Sequence, residues 1–369
     1  MPTESNIKMH SLLSPISFLY GIGVRFRNQL FDWGILPTES YPIPIICIGN
    51  LAVGGTGKTP HTEYIIRLLK DSHRIAVLSR GYKRKTSGFI LANNQNTSIE
   101  IGDEPYQMKH KFPDILVAVD ANRRRGISNL LALPNEQRPE IILLDDAYQH
   151  RYVTPSLSIV LTDYHRLFYI DKLLPVGLLR EPVNGIRRTD IVIVTKCEED
   201  MKPIEYRIIE ENMKLLAHQS IHFTHITYGE IEPVFASRAK PLTRKDIRQD
   251  EELLVLSGIA SPGSFIKEAS KLSEKVTPLI FPDHHDFGKS DIRRIKSVFE
   301  SMSSSDKYIL TTEKDAARLS DNPYIPEEWK AYMYYLPITI EFCLEKRFDD
   351  DIRKHITTFH REHILRQIK

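Results

Sequence analysis

Gly49-Asn50-Leu51-Ala52-Val53-Gly54-Gly55-Thr56-Gly57-Lys58-Thr59-Pro60 is the stretch that decides the fold. An apolar run over residues 43–48 leads into it, and an amphipathic helical pattern over residues 61–70 leads out. Strand, glycine-rich turn, Lys-Thr and helix, in that order, describe a phosphate-binding loop. Residues without a Cβ let main-chain N–H groups wrap an anion, and the helix that follows turns its positive end toward it. Ala52, Val53, Gly54, Gly55, Thr56 and Gly57 are then expected to line the phosphates. Lys58 reaches the β- and γ-phosphates, and the Thr59 hydroxyl ligates Mg²⁺. The first glycine of G-x-x-x-x-G-K-[ST] is replaced by Ala52, the mildest substitution, while Gly54, Gly55 and Gly57 remain. A nucleoside triphosphate is the expected ligand.

Downstream, apolar runs recur at 74–79, 115–119, 141–144, 157–161 and 191–195, with helical or loop segments between them. Several are unbroken, as parallel strands covered on both faces require. The expected fold is α/β: a doubly wound sheet like that of P-loop NTPases, with its ligand site at the carboxyl ends of the strands. A further run, 221–228, is placed to close that sheet. Residues 229–249 read as a linker. Strand patterns at 253–256, 276–281, 308–310 and 333–337, with a helix start at Ser261-Pro262, then indicate a second, smaller α/β domain. The expected domains are 1–36, 37–230 and 231–369, and the basic stretch from Arg353 reads as a solvated helix.

The segment 12–36 has its own character. Leu12, Ile16, Leu19, Ile22, Phe26, Leu30 and Trp33 recur at three- and four-residue steps, opposite Ser14, Ser17, Gly21, Arg25, Asn28 and Asp32. That is an amphipathic helix, which either packs on its own domain or lies in a membrane interface. Elsewhere composition mostly excludes. A formal charge of +2 argues against a dedicated nucleic-acid binder. Three cysteines without C-x-x-C spacing give neither a disulfide framework nor a zinc site. No run approaches the ~18–20 apolar residues of a membrane span, and no secretory signal is evident, so a cytoplasmic location is expected.

Other stretches carry chemistry. Residues 141–144 end in Asp145-Asp146, and a carboxylate after such a strand holds Mg²⁺ in phosphate-loop enzymes. Gln149-His150 follow, placed to contact the phosphates or to cap the turn. Ser79-Arg80-Gly81-Tyr82, Gly102-Asp103-Glu104-Pro105 and Asp120-Ala121-Asn122-Arg123-Arg124-Arg125 fall near expected strand ends. Their basic residues suit an anionic acceptor or a transferring phosphoryl group, or are simply solvated. Asp283-His284-His285-Asp286 suggests acid–base chemistry but fits no zinc spacing. Thr195-Lys196-Cys197-Glu198 looks like a degraded guanine-reading N-K-x-D, and Thr312-Glu313-Lys314-Asp315 has the spacing of a helix capping box with Asp for Glu.

Taken in order, residues 49–60, 79–82, 102–105, 145–150, 174–182 (Leu-Pro-Val-Gly-Leu-Leu-Arg-Glu-Pro), 281–285 and 312–316 resemble the tetraacyldisaccharide 4′-kinase family. Departures are small: Ala52 stands for the family's usual Thr, and Ala147-Tyr148 for Gly-Phe. The resemblance implies ATP- and Mg²⁺-dependent phosphorylation of the 4′-hydroxyl of tetraacyldisaccharide 1-phosphate, a lipid A precursor. The expected place is the cytoplasmic face of a Gram-negative inner membrane, with the first helix as a monotopic anchor and no obligate protein partner. It also implies Asp103 as catalytic base, oriented by His284, with His285 as the alternative, from the second domain. Thr59, Asp145 and Asp146 are the expected Mg²⁺ ligands. Arg80, Glu104, Arg123 (with Arg124 and Arg125), Gln149 and Arg180 are the expected substrate and phosphate contacts. A nucleotide-driven switch acting on a protein partner is the competing function.

Overall fold

Six consecutive buried residues, Ile45–Asn50, form β1, which has a strand on either side. The computed structural model describes residues 9–283, 285–304, 306–344 and 347–367. The strands that follow are β2 (Ile75–Ser79), β3 (Ile90–Leu91), β4 (Leu116–Val119), β5 (Ile141–Asp145), β6 (Leu157–Asp163), β7 (Ile191–Thr195) and β8 (Ser220–Tyr228). Then come β9 (Glu232–Pro233), β10 (Glu252–Ser257), β11 (Lys275–Ile280), β12 (Lys307–Thr312), β13 (Met333–Leu336) and β14 (Ile338–Phe342). The helices are α1 (Ser14–Asp32), α2 (Lys58–Leu69), α3 (Ser98–Ile101), α4 (Asp103–Lys111) and α5 (Arg123–Leu131). They continue with α6 (Pro203–Met213), α7 (Gly263–Leu272), α8 (Lys289–Ser301), α9 (Glu313–Ser320) and α10 (Arg347–Gln367).

The larger sheet runs β14-β8-β7-β6-β1-β5-β2-β4-β3. β1 pairs in parallel with β5 on one side and β6 on the other, and the parallel pairing continues through β2–β4, β2–β5, β6–β7 and β7–β8. From β1 the chain first winds to one side and then returns to the other. This makes the carboxyl end of β1 the topological switch point, where ligands of doubly wound sheets bind. The apolar runs are continuous because β1, β2, β5 and β7 are buried at every position.

The smaller sheet runs β11-β10-β12-β13-β9. Its strand β10 sends alternate side chains into two cores: Leu254 and Leu256 join Ile295 and Trp329, while Leu253 and Val255 join Phe265 and Tyr334. Pro278 sits on the edge strand β11, where a residue without an N–H is best tolerated.

The described residues fall into two compact units: those within 9–96, 108–226 and 340–367, and those within 97–107 and 227–339. This differs from the expected boundary at 230 in two places. Residues 97–107 belong with the smaller unit, and the last segment returns to the larger one. β14 adds a strand beside β8, and α10 buries Phe348, Ile352 and Ile356. Tyr64 donates to Asp349 across 2.7 Å. Among the described side chains, the stretch from Arg353 is therefore part of a packed helix, with Ile356 facing the core, and not a solvated one. The expected linker is also folded: β9 pairs with β13, and Arg244 donates to the carbonyls of Tyr228 and Gly229 and ion-pairs with Glu268.

α1 is packed by its polar face. Ser17 donates to the Leu173 carbonyl (2.9 Å), Tyr20 to that of Arg180 (2.7 Å) and Arg27 to that of Gln149 (3.1 Å). Arg151 donates to the Asn28 carbonyl and to Asp32. Ile16, Phe18, Leu19, Ile22, Phe26 and, just past the helix, Trp33 are left exposed. No described helix is long and apolar enough to cross a membrane.

β1 also admits the turn after β5 only because Gly49 lacks a side chain: a Cβ there would lie 2.6 Å from Tyr148 Cβ. The Tyr148 hydroxyl donates to the Gly185 carbonyl and accepts from Thr189. Gly49→Ala should therefore cost about 1–3 kcal/mol of stability through overpacking. Thermal unfolding checks it, and an unchanged midpoint would refute the close approach.

Candidate functional site

The loop between β1 and α2 is tied down along its length. Ala52 forms a bridge with Leu179, Val53 N–H donates to the Leu178 carbonyl (2.7 Å), and Arg180 N–H donates to that of Leu51 (2.7 Å). Ala52 thus occupies an extended position that a side chain tolerates, which explains why no glycine is needed there. Further on, Asn50 Nδ2 donates to Thr56 Oγ1 (3.0 Å). Gly57 has φ +82° as the residue entering α2, and Gly54 has φ +119°, conformations that disfavour a side chain. Val53, Gly54 and Gly55 are exposed, while Thr56 is buried.

The acidic strand end comes to the same place. Asp145 closes β5 directly beside β1, paired with Ile48, and accepts from Ser79 Oγ at 3.4 Å. Asp146 follows in the left-handed region (φ +46°). Its carboxylate lies 3.6 Å from Lys58 Nζ and 3.1 Å from Arg180 Nη1. Burial alone would raise the Asp146 pKa, but Lys58 and Arg180 outweigh it and hold the carboxyl below its usual range. Arg180 also donates to Gln149 Oε1 (3.3 Å), and Gln149 Nε2 donates to the Asn50 carbonyl (2.7 Å) and to Glu181 (3.1 Å). Lys58, Asp146, Arg180 and Gln149 therefore form one network at the switch point.

The arginine run divides. Arg123 is 2% exposed and donates to the main-chain carbonyls of Asp120 and Asp145. Burial pulls its pKa down against the acidic residues around it. It fixes the acid-bearing turn from beneath, through the main chain. Arg124 is engaged by Glu39 (2.8 Å) and Arg125 by Asp120 (2.7 Å). Arg80 is exposed at the end of β2. Burial lowers the His150 pKa to about 4, assisted by Arg123, Arg27, Arg124 and Arg80. Its buried Nε2 has no hydrogen-bond partner among the described residues.

In the smaller unit Asp103 opens α4, and its Oδ2 accepts from Arg318 Nε (2.9 Å) and Nη2 (2.8 Å). Arg318 Nη1 donates to Asp315 (3.0 Å). Asp315 is itself fully buried, accepting from Gly258 N–H (2.8 Å) and Thr312 Oγ1 (2.7 Å). Thr312 caps α9 through Asp315 N–H, so the capping-box stretch is a helix start that also anchors Arg318. Lys314 lies 3.6 Å from Glu104. His285 is committed to Asp291 (3.0 Å) and stacks on Phe281. His284 lies outside the described residues. Because Asp103 and His285 belong to the same compact unit, the expectation that the base and this alternative histidine come from different domains is corrected.

Sequence reasoning missed several residues. Glu181 is 2% exposed and gathers Asn28, Gln149 and Arg188; its place beside Arg180 in the 174–182 stretch was the available signal. Thr195, read as a weak base-reading residue, instead donates to the Thr56 carbonyl (2.9 Å). His61 was hidden on the inner face of α2.

Along the chain, residues 9–357 match the family described as tetraacyldisaccharide-1-P 4′-kinase. The tetraacyldisaccharide 4′-kinase of Parabacteroides distasonis is 61% identical over 369 residues, 99% of this chain and 100% of that protein. That of Bacteroides thetaiotaomicron is 49% identical over 97% of this chain and 95% of that protein. A crystal structure of LpxK from Aquifex aeolicus in complex with ATP has a TM-score of 0.72 at 29% identity, covering 95% of this chain and 99% of that one. With the phosphate loop, the acidic strand end and nearly the whole chain matched, this protein belongs to the tetraacyldisaccharide-1-P 4′-kinase family.

Proposed function

We propose that the protein transfers the γ-phosphoryl group of ATP to the 4′-hydroxyl of tetraacyldisaccharide 1-phosphate. The observation that carries this reading is the meeting of Lys58 and Asp146, 3.6 Å apart, at the switch point of a sheet in a chain of this family. The residues there suit a magnesium–nucleotide complex. Gly54 and Gly55 keep the loop face free of Cβ atoms. Thr59, Asp145 and Asp146 offer only oxygen donors, the set Mg²⁺ takes together with phosphate oxygens and water. When bound, Mg²⁺ neutralises negative charge on the phosphates.

Lys58 and the loop amides hold the β- and γ-phosphates, and Arg180 and Gln149 fix Asp146. Arg80, exposed at the end of β2, presents positive charge to an anion. Arg123 acts through the main chain of Asp145. Asp103 accepts the proton of the sugar hydroxyl as its oxygen bonds to the γ-phosphorus and the bond to the departing ADP breaks. His284 orients Asp103, Arg318 holds its Oδ2, and Glu104 contacts the substrate beside it.

The same reading accounts for α1. A helix that hydrogen-bonds inward through Ser17, Tyr20 and Arg27 and leaves Phe18, Leu19 and Phe26 outside suits a lipid surface. A groove of about 520 Å³ beside it is lined by Phe18, Leu173, Val176, Leu179 and Val183 and takes the acyl chains. Its wall continues along residues 178–180 to the phosphate loop. The protein thus works at the cytoplasmic face of the inner membrane.

Lys58→Ala and Asp146→Ala should each cut lipid phosphorylation by about 10²–10³-fold, measured as labelled phosphate transferred from ATP to tetraacyldisaccharide 1-phosphate in detergent. ATP hydrolysis without lipid labelling in the wild type would favour the switch function instead. Asp103→Asn should lower kcat about 10²–10⁴-fold while ATP affinity holds; near-normal turnover removes Asp103 as base. Phe18→Ser with Leu19→Ser and Phe26→Ser should abolish sedimentation with phosphatidylethanolamine–phosphatidylglycerol vesicles. Unchanged sedimentation would exclude α1 as the anchor.

A further inference from the structure

Two consecutive carbonyls of the phosphate loop are turned into the protein by side chains from outside it. The Thr56 carbonyl accepts from Thr195 Oγ1 at 2.9 Å, from the end of β7. The Gly57 carbonyl lies 2.6 Å from His61 Nδ1, closer than the 3.4 Å of the main-chain bond from His61 N–H that should open α2. On its other side the ring meets Thr224 Oγ1, in β8, at 2.9 Å. His61, Thr195 and Thr224 are all buried.

The proton positions follow by elimination. A carbonyl cannot donate, so Nδ1 carries the hydrogen that Gly57 accepts. Burial pulls the ring's pKa down to about 4, so it is neutral and Nε2 is an acceptor. Thr224 is then the donor to Nε2, its alternative acceptor, the Val194 carbonyl, being farther at 3.5 Å. The chain of bonds runs one way, from β8 through the ring to the loop.

Orientation of the amides is the consequence. The 56–57 and 57–58 peptide bonds are trans. In a trans peptide the C=O and the following N–H point in opposite directions. Holding the carbonyls of Thr56 and Gly57 inward turns the N–H groups of Gly57 and Lys58 outward, as two adjacent donors of an anion-binding nest. We propose that Thr195 and His61, the latter braced by Thr224, are positioning residues that preset these two amides for the phosphates of the nucleotide.

This rests on the reading of the loop as the ATP site, and the test separates the two. ATP Kd, KM for ATP, KM for the lipid acceptor and the melting temperature are measured on the full-length protein. Thr195→Val and His61→Phe should each raise Kd and KM for ATP about tenfold, the worth of one well-placed hydrogen bond, with KM for the acceptor unchanged. Thr224→Val should act in the same direction, and Thr195→Ser, which keeps the hydroxyl, should restore affinity. If His61→Phe does not fold, Thr195→Val and Thr224→Val, both outside the loop, decide. A lowered melting temperature with ATP affinity within about twofold of wild type would overturn the positioning role. Lys58→Ala is the control: if it too leaves ATP affinity intact, the nucleotide reading of the loop itself fails.

Discussion

A main-chain N–H can face an anion only if the carbonyl on the other side of its peptide plane has somewhere else to go. That constraint organises the larger unit. The carbonyls around the phosphate loop are taken by Arg180 N–H at Leu51, by Thr195 at Thr56 and by His61 at Gly57. The segment 178–180 binds the loop's entry, and the end of β7, together with His61 braced from β8, binds its exit. Conformational entropy that a free glycine-rich loop would lose on meeting a nucleotide is lost during folding instead. The sheet order makes this possible, since it brings β6, β7 and β8 to one side of β1 and the acid-bearing β5 to the other.

Much of this architecture is legible in the sequence because its signals are local. Unbroken apolar runs mark strands buried on both faces, and Lys58-Thr59 after the glycines marks the loop. Asp145-Asp146 are recognisable because the strand before them is so apolar. What could not be read depends on long-range contacts. Nothing in residues 97–107 says that Asp103 is held by Arg318, 215 residues away. Arg123 looked like part of a basic surface, yet two carbonyls hold its guanidinium in the interior. His61 sits on the apolar face of a helical pattern, and periodicity does not separate a satisfied polar side chain from a hydrophobic one. Thr195 resembled a worn base-reading motif because its use, a bond to a carbonyl far away in sequence, leaves no pattern.

α1 shows a different limit. Periodicity reveals that a helix has two faces but not which one meets the protein. The usual expectation, apolar side inward, is reversed here because segments 149–151 and 173–180 present carbonyls and charged groups to the helix. Ser17 and Gly21 are small enough to let it approach; a Cβ on Gly21 would sit 2.9 Å from Leu173. Specific hydrogen bonds fix the helix, and the hydrophobic surface remains available for other use.

The two compact units interrupt one another along the chain, and this bears on how the protein is made. A ribosome releases residues 227–337 before β14 and α10 exist, so the larger sheet waits for its last strand with one edge of β8 unprotected. Unpaired edges of that kind recruit wrong partners. Neither unit corresponds to a contiguous stretch of coding sequence, so no single cut yields either one whole.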